Sequence, residues 1–314
     1  MSRTGETSWS AARLAGAAAF AAMLAFTGRA AIAQAPQPVD YSDVEASPAI
    51  WEISDEDSQI YLLGTFHILP ASLDWQSDAM LADLRAADSL YLEADVHSPE
   101  AEARVQAMVV QMGLNPAGVT LTSMLDAETA ALLAEVAPTV GATPAMLDPM
   151  RPWLAEIVLA VAQMQALGLD PTAGVEQSLL AAVQGTSVEM GYFETAEDQM
   201  NAIAGQPEEI QLKSLAEGLR EMERMPDMLD QMVRAWATGD VETIDSLINS
   251  EMREDAPEVY EALIVQRNRN WMPQILALLD GEGTVFIAVG AAHLTGDDGV
   301  IAQLRAAGVE VTRQ

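Results

Sequence analysis

Two short apolar runs near opposite ends of the chain constrain its fold more than any other feature. "YLLGTFHILP" (61–70) stops at Gly64 and delivers His67 three residues later, and "TVFIAVGAAHLTG" (284–296) repeats the pattern with Gly290 and His293. Apolar runs of this length, bounded by glycine, read as strands. A glycine at a strand end lets the backbone turn sharply or lets a ligand come close. Strand ends are also where α/β folds place their sites. The 314 residues hold only three histidines, so two at matching positions predict one sheet that brings both imidazoles together. The plainer alternative is two polar histidines satisfied by turn backbone.

The rest of the chain fits around that sheet. "AIWEIS" and "QIYLLG" flank the turn-forming "DEDS" and predict a β-hairpin. "DSLYLEADV" (88–96) reads as the next strand, after helical spacing over 75–87. Residues 99–184 are helical in pattern, punctuated by "GLNPAG", "APTVGATP" and "LDPMRP". "TSVEMGYFE" returns to strand, and 207–279 form a long helical region with breaks near Pro226, "TGD" and "DAP". "TVFIAVG", a helix over about 297–307, and "GVEVTR" make a β-α-β ending. No repeat of solenoid period is visible. The expected fold is α/β (α+β): one domain over 49–314, its mixed central sheet built from N- and C-terminal strands around a large helical insertion.

The N-terminus carries a different signal. "MSRTGETSWSAAR" brings Arg3 and Arg13, "LAGAAAFAAMLAFTG" is apolar, and "AIAQA" offers an A-x-A cleavage site. Residues 1–33 therefore read as a secretory signal peptide, with an uncleaved anchor as the alternative. The apolar stretch is shorter than the roughly 20 residues of a membrane span, so no stable membrane insertion is expected after cleavage. Residues 34–48 are Pro-rich and polar, and predict a flexible lead-in. The absence of cysteine removes disulfides and thiolate metal sites and suits a periplasmic protein. Net charge is −32, and segment 1–33 carries +2, which leaves −34 on the remainder. Lys213 is the only lysine. Such a surface repels nucleic acid and anionic lipid and favours cations, although proteome-wide adaptation to salt accounts for it equally well.

Alternation along "LYLEADV" puts Glu93 on the face of Tyr91 and Asp95, opposite Leu90, Leu92 and Ala94. A carboxylate in an apolar strand is costly unless paired or metal-bound. His67, His293 and Glu93 together make a plausible site for Zn²⁺, Mn²⁺ or a similar ion. A partly exposed strand-end acid is the alternative for Glu93, and Asp95 is a weaker candidate ligand. His97 has no preceding glycine and reads as a surface residue, with it or Ser98 capping the next helix. "TGDDG" reads as a helix start, with Thr295 as cap and Asp297 and Asp298 at the positive end of the dipole.

The paired Gly-x-x-His segments resemble the TraB/GumN (TraB/PrgY) family, related to the Tiki metalloproteases and more distantly to erythromycin-esterase and ChaN-like proteins. "YLEADV", "AGVEQSLLAAVQGTSVEMGYFETAEDQMNAI", "RAWATGDVETI" and "YEALIVQRNRNWMPQI" extend the similarity over nearly all of the chain from residue 49. The family pairs the two motifs with an acid and an arginine. The resemblance implies His67 and His293 as the histidines, Glu93 as the acid with Glu194 as a second carboxylate, and Arg267, beside Asn268, as the arginine. It implies a divalent-metal-dependent peptidase, with Mn, Co or Zn as cofactor. On that reading His67, His293 and Glu93 hold the ion, Glu194 moves a proton, and Arg267 steadies an oxyanion or binds a substrate carboxylate. A helix-surface Arg267 paired with a nearby acid is the plain alternative. The rival functions are a non-catalytic periplasmic binder of a peptide, signal molecule or haem, and an accessory to polysaccharide export.

Overall fold

A computed structural model describes residues 39–314, so the signal-peptide reading and the first part of the lead-in lie outside the described residues. Eight strands occur among the described residues: β1 Ile50–Ser54, β2 Ser58–Thr65, β3 Leu69–Pro70, β4 Ser89–Ala94, β5 Leu169–Asp170, β6 Glu189–Glu194, β7 Gly283–Gly290 and β8 Thr312–Arg313. Six form one mixed sheet in the order β6-β4-β7-β2-β1-β8, and β3 pairs with β5 separately. Four neighbouring strands, β6, β4, β7 and β2, are parallel, while β1 runs antiparallel to β2 and β8 antiparallel to β1 at one side. The N- and C-terminal strands do share a sheet, with Gly64 opposite Val289 and Thr65 opposite Gly290.

The sheet is covered on both faces, as parallel strands require. One face, with Leu63, Leu90, Leu92 and Phe286, packs under the large helical block. The other, with Ile60, Leu62, Val285 and Ile287, packs against helices Gln266–Leu279 and Val300–Ala306. This two-sided burial explains why β2 and β7 read as continuous apolar runs rather than alternating ones. Among the described residues no helix is long and apolar enough to cross a membrane.

Three local expectations change. From residue 39 the lead-in is docked: Tyr41 is buried with the helical block, Arg234 lies over its ring, and Ser47 N–H donates to the Ala237 carbonyl at 2.7 Å. The last helix starts at Val300, after Gly299, so Asp297 and Asp298 precede it. Thr295 instead closes the short helix Ala291–Leu294 and is buried, its hydroxyl accepting from Asn249 Nδ2 at 3.2 Å.

Gly64 makes no turn. It lies inside β2, and a Cβ there would stand 3.0 Å from Cα and Cβ of Ala291. Its smallness lets the His293-bearing helix lie against the strand that leads to His67. Gly64→Val is therefore expected to cost about 1–3 kcal/mol by overpacking. A lower urea midpoint at unchanged m-value would register it; wild-type stability would show that the contact tolerates bulk.

Candidate active site

The four parallel strands end on one side of the sheet, and each delivers a polar group there. β4 supplies Glu93, β6 supplies Glu194, β2 leads into His67, and β7 leads through Gly290 to His293. The fifth group, Arg267, stands one residue inside helix Gln266–Leu279, immediately after a π-helical turn, Glu261–Val265. His67, Glu93, Glu194, Arg267 and His293 thus come together, and the weaker candidate Asp95 does not join them.

Arg267 is the hub. Its Nε reaches both Glu194 oxygens at 3.0 and 3.1 Å, and Nη2 donates to Glu194 at 2.5 Å and to Glu93 at 2.6 Å. Nη1 donates to the Leu263 carbonyl at 3.2 Å and approaches His293 Nε2 at 3.0 Å. A guanidinium has five N–H donors, so these contacts use all of them. Trp271 lies under the guanidinium at 4.9 Å and against the His293 ring at 4.4 Å. The arginine is no helix-surface residue, and in this arrangement it has no donor left for substrate.

Glu93 is 7% exposed and equally committed. Oε2 accepts from Gln199 Nε2 at 2.9 Å as well as from Arg267, and Oε1 accepts from Gly290 N–H at 2.7 Å. Burial alone would raise its pKa, but Arg267, His293, His67 and the Gly290 N–H outweigh it and hold the carboxyl far below the ordinary range. Gly290 is needed here, because a Cβ would lie 3.1 Å from Glu93 Oε1. For Glu194 burial wins over Arg267, and its pKa lies above the ordinary value.

His293 is fixed at both nitrogens. Asn268 uses Nδ2 on the carbonyls of His293 and Asp298 at 3.2 and 2.9 Å, which turns its Oδ1 toward His293 Nδ1 at 2.7 Å. Nδ1 is then the protonated nitrogen and Nε2 the acceptor for Arg267. Burial and the guanidinium push its pKa down to about 3, so this imidazole is neutral at any working pH.

His67 is arranged differently. Its Nδ1 lies 2.7 Å from Oε1 of Glu176, a buried acid in the first turn of helix Val175–Val183. Burial lowers the His67 pKa, but the Glu176 charge and hydrogen bond reverse this and leave it above the ordinary 6.5. Nε2 has no hydrogen-bond partner among the described residues. The helix start sits directly under His67: Val175 N–H donates to the Phe66 carbonyl at 3.0 Å, and Gly174 has no room for a Cβ beside the His67 carbonyl. Sequence reasoning missed Glu176. The signal was Gly174 followed by an acid in an apolar helix start. It also missed Gln199, and it placed His97 on the surface. His97 is half-buried, with Nδ1 at 3.1 Å from Gln177 Nε2, and its pKa is lowered chiefly by burial. Asp95 stays outside the site and accepts from Ser98, which caps the next helix.

His67, Glu93, Gln199, Arg267 and His293 line a cleft whose walls are apolar: Met164, Met232, Met252, Leu229, Ile248 and Leu263 among others. The expected ion ligands His67, Glu93 and His293 all line it. Their donor atoms do not fit an ion as arranged. Glu93 and His293 Nε2 are taken by Arg267, and no three acids, histidines or cysteines among the described residues converge on a metal position.

Residues 49–313 match the TraB/PrgY/gumN family. The chain belongs to that family. It is 25% identical over 258 residues to the uncharacterized protein YbaP of Escherichia coli (strain K12), covering 82% of this chain and 92% of that protein. It is 25% identical over 245 residues to the uncharacterized protein YbaP of Shigella flexneri, covering 78% and 87%. No solved structure matches. The family match spans every strand from β1 to β8, so both Gly-x-x-His segments and the arginine hub lie inside it.

Removing Arg267 would strand two buried carboxylates. Arg267→Met is expected to lose about 3–5 kcal/mol, and Glu93→Gln added to it should recover part of that loss. Urea denaturation of the single and double variants tests this; additive losses would mean that the pair is uncoupled.

Proposed function

We propose that this chain is an exported hydrolase that cleaves an amide or ester bond next to an apolar group, most simply a peptidase of the periplasm. The observation that carries the reading is the His67–Glu176 contact at 2.7 Å, with His67 Nε2 unengaged at the base of an apolar cleft. A buried carboxylate 2.7 Å from Nδ1 favours the tautomer protonated on that nitrogen and leaves Nε2 as a base. His67 Nε2 takes a proton from water, and the oxygen attacks the substrate carbonyl. The imidazolium, steadied by Glu176, then returns the proton to the leaving nitrogen or oxygen as the bond to carbon breaks. Arg267 donates no hydrogen bond to the substrate in this scheme. The apolar walls of the cleft take the neighbouring side chain or acyl group.

The rival reading, a divalent-ion hydrolase, is favoured by the shared position of His67, Glu93 and His293 on one cleft. It requires Arg267 to withdraw from Glu93 and His293. A haem- or peptide-binding protein without turnover would use the same cleft.

His67→Asn is expected to lower kcat by roughly 100- to 10,000-fold on an apolar peptide library. Chelator treatment should leave wild-type turnover unchanged. Chelator-sensitive activity restored by Mn²⁺, with on the order of one ion bound per chain, would sink the metal-free scheme. A Soret band on adding hemin, lost in His67→Asn, would favour the haem reading instead.

The pH dependence has a definite sign. Glu176 raises the His67 pKa, so the base form, and kcat/KM with it, should rise with pH through a limb above the ordinary 6.5. Without the carboxylate, burial dominates, so Glu176→Gln should move that limb to lower pH while lowering its plateau. A limb that stays in place would remove His67 from the role of base.

A further inference from the structure

Gln199 brings a second side-chain amide to the site, and like that of Asn268 its orientation is fixed by its neighbour. Glu93 accepts from the Gly290 N–H and from Arg267, so it is an ionised acceptor with no proton to offer. The Gln199 group facing it at 2.9 Å must therefore be the NH₂. That leaves Oε1 as a committed acceptor. Gln199 is only 4% exposed, and no donor among the described residues reaches Oε1. A buried acceptor without a donor is costly, and natural sites keep such atoms where a ligand supplies the donor.

The surroundings of Gln199 say which part of a ligand this is. Gln199, Glu93 and His67 line the large apolar cleft and also a small side pocket walled by Leu92, Val96, His97 and Glu176. The three residues thus stand between the two spaces. His67, the base of the proposed hydrolysis, lines the same spaces, so the scissile bond lies beside Gln199.

We propose that Gln199 is a specificity-determining residue whose Oε1 accepts a hydrogen bond from an N–H of the substrate beside the scissile carbonyl, which makes the substrate a secondary amide rather than an ester. This rests on the hydrolase reading above. An ester, or an amide without N–H, leaves Oε1 buried and unpaired and is disfavoured by the same asymmetry that lets polar sites reject analogues lacking a donor. Cleavage adds the elements of water across the C–N bond, the hydroxyl to the acyl carbon and the proton to the leaving nitrogen.

The test uses three probes with one apolar acyl-leucine group: the p-nitroanilide, its N-methyl anilide and the p-nitrophenyl ester. Wild type is expected to lose roughly 10- to 100-fold in kcat/KM from anilide to N-methyl anilide. Gln199→Leu should lose most of that discrimination, and its ester-to-anilide ratio should rise by a similar factor, with circular dichroism confirming the fold. Equal treatment of the two anilides by wild type, or unchanged discrimination in Gln199→Leu, overturns the assignment. Calorimetric binding of the same probes separates the two claims. Tighter binding of the anilide than of its N-methyl form, without turnover, keeps the role of Gln199 and sinks the hydrolase reading. A wild type that neither cleaves nor binds the anilide overturns both.

Discussion

A single guanidinium organises this molecule. Arg267 ties β4 through Glu93, β6 through Glu194 and the segment after β7 through His293 to one helix, and it does so inside the protein. Taking three charged groups from water is expensive, and such a cluster persists only when its hydrogen bonds are complete. Here they are, down to the Leu263 carbonyl offered by the preceding π-helical turn. The pairing fixes the order in which three parallel strands present their ends. It also explains how a chain with 47 acidic and 15 basic residues keeps two carboxylates buried side by side.

The hub divides the cleft base into a saturated half and an open half. His293, Arg267, Glu93 and Glu194 satisfy one another and hold their geometry before any ligand arrives. Gln199 Oε1 has no such partner, and His67 makes its one polar side-chain contact among the described residues through Nδ1. Each is nonetheless positioned by the saturated half or by the helix behind it: Gln199 through Glu93, His67 through Glu176. Preorganisation of this kind lets a reactive group stay unsatisfied without drifting.

Much of this was legible in the sequence, for identifiable reasons. The paired Gly-x-x-His runs predicted a sheet shared by both ends of the chain, because strand ends and glycine have few other uses in combination. Glu93 announced itself as a charge in an apolar strand. Glu194 and Arg267 came only from family resemblance, since an acid at a strand end and an arginine in a helix are ordinary locally. Glu176 and Gln199 were hidden for the same reason: each sits in an amphipathic helix, and only the crossing of elements turns it inward. The docking of Tyr41 was masked by a composition that suits a free linker. Gly290 does end its strand, whereas Gly64 was read correctly as special and wrongly as a turn. Gly64 makes room for Ala291, a contact between segments that no local rule could supply.

The pairing of β2 with β7 has a consequence for timing. During synthesis His67 and Glu93 emerge before the helical insertion, and their counterpart strand only after it. Until then β2 and β4 lack the strand that lies between them. Closing so long a loop is slow, and the waiting strands are apolar edges open to misassociation. The pocket therefore cannot be assembled by a partial chain, so a fragment released early carries neither the paired imidazoles nor the buried cation between them.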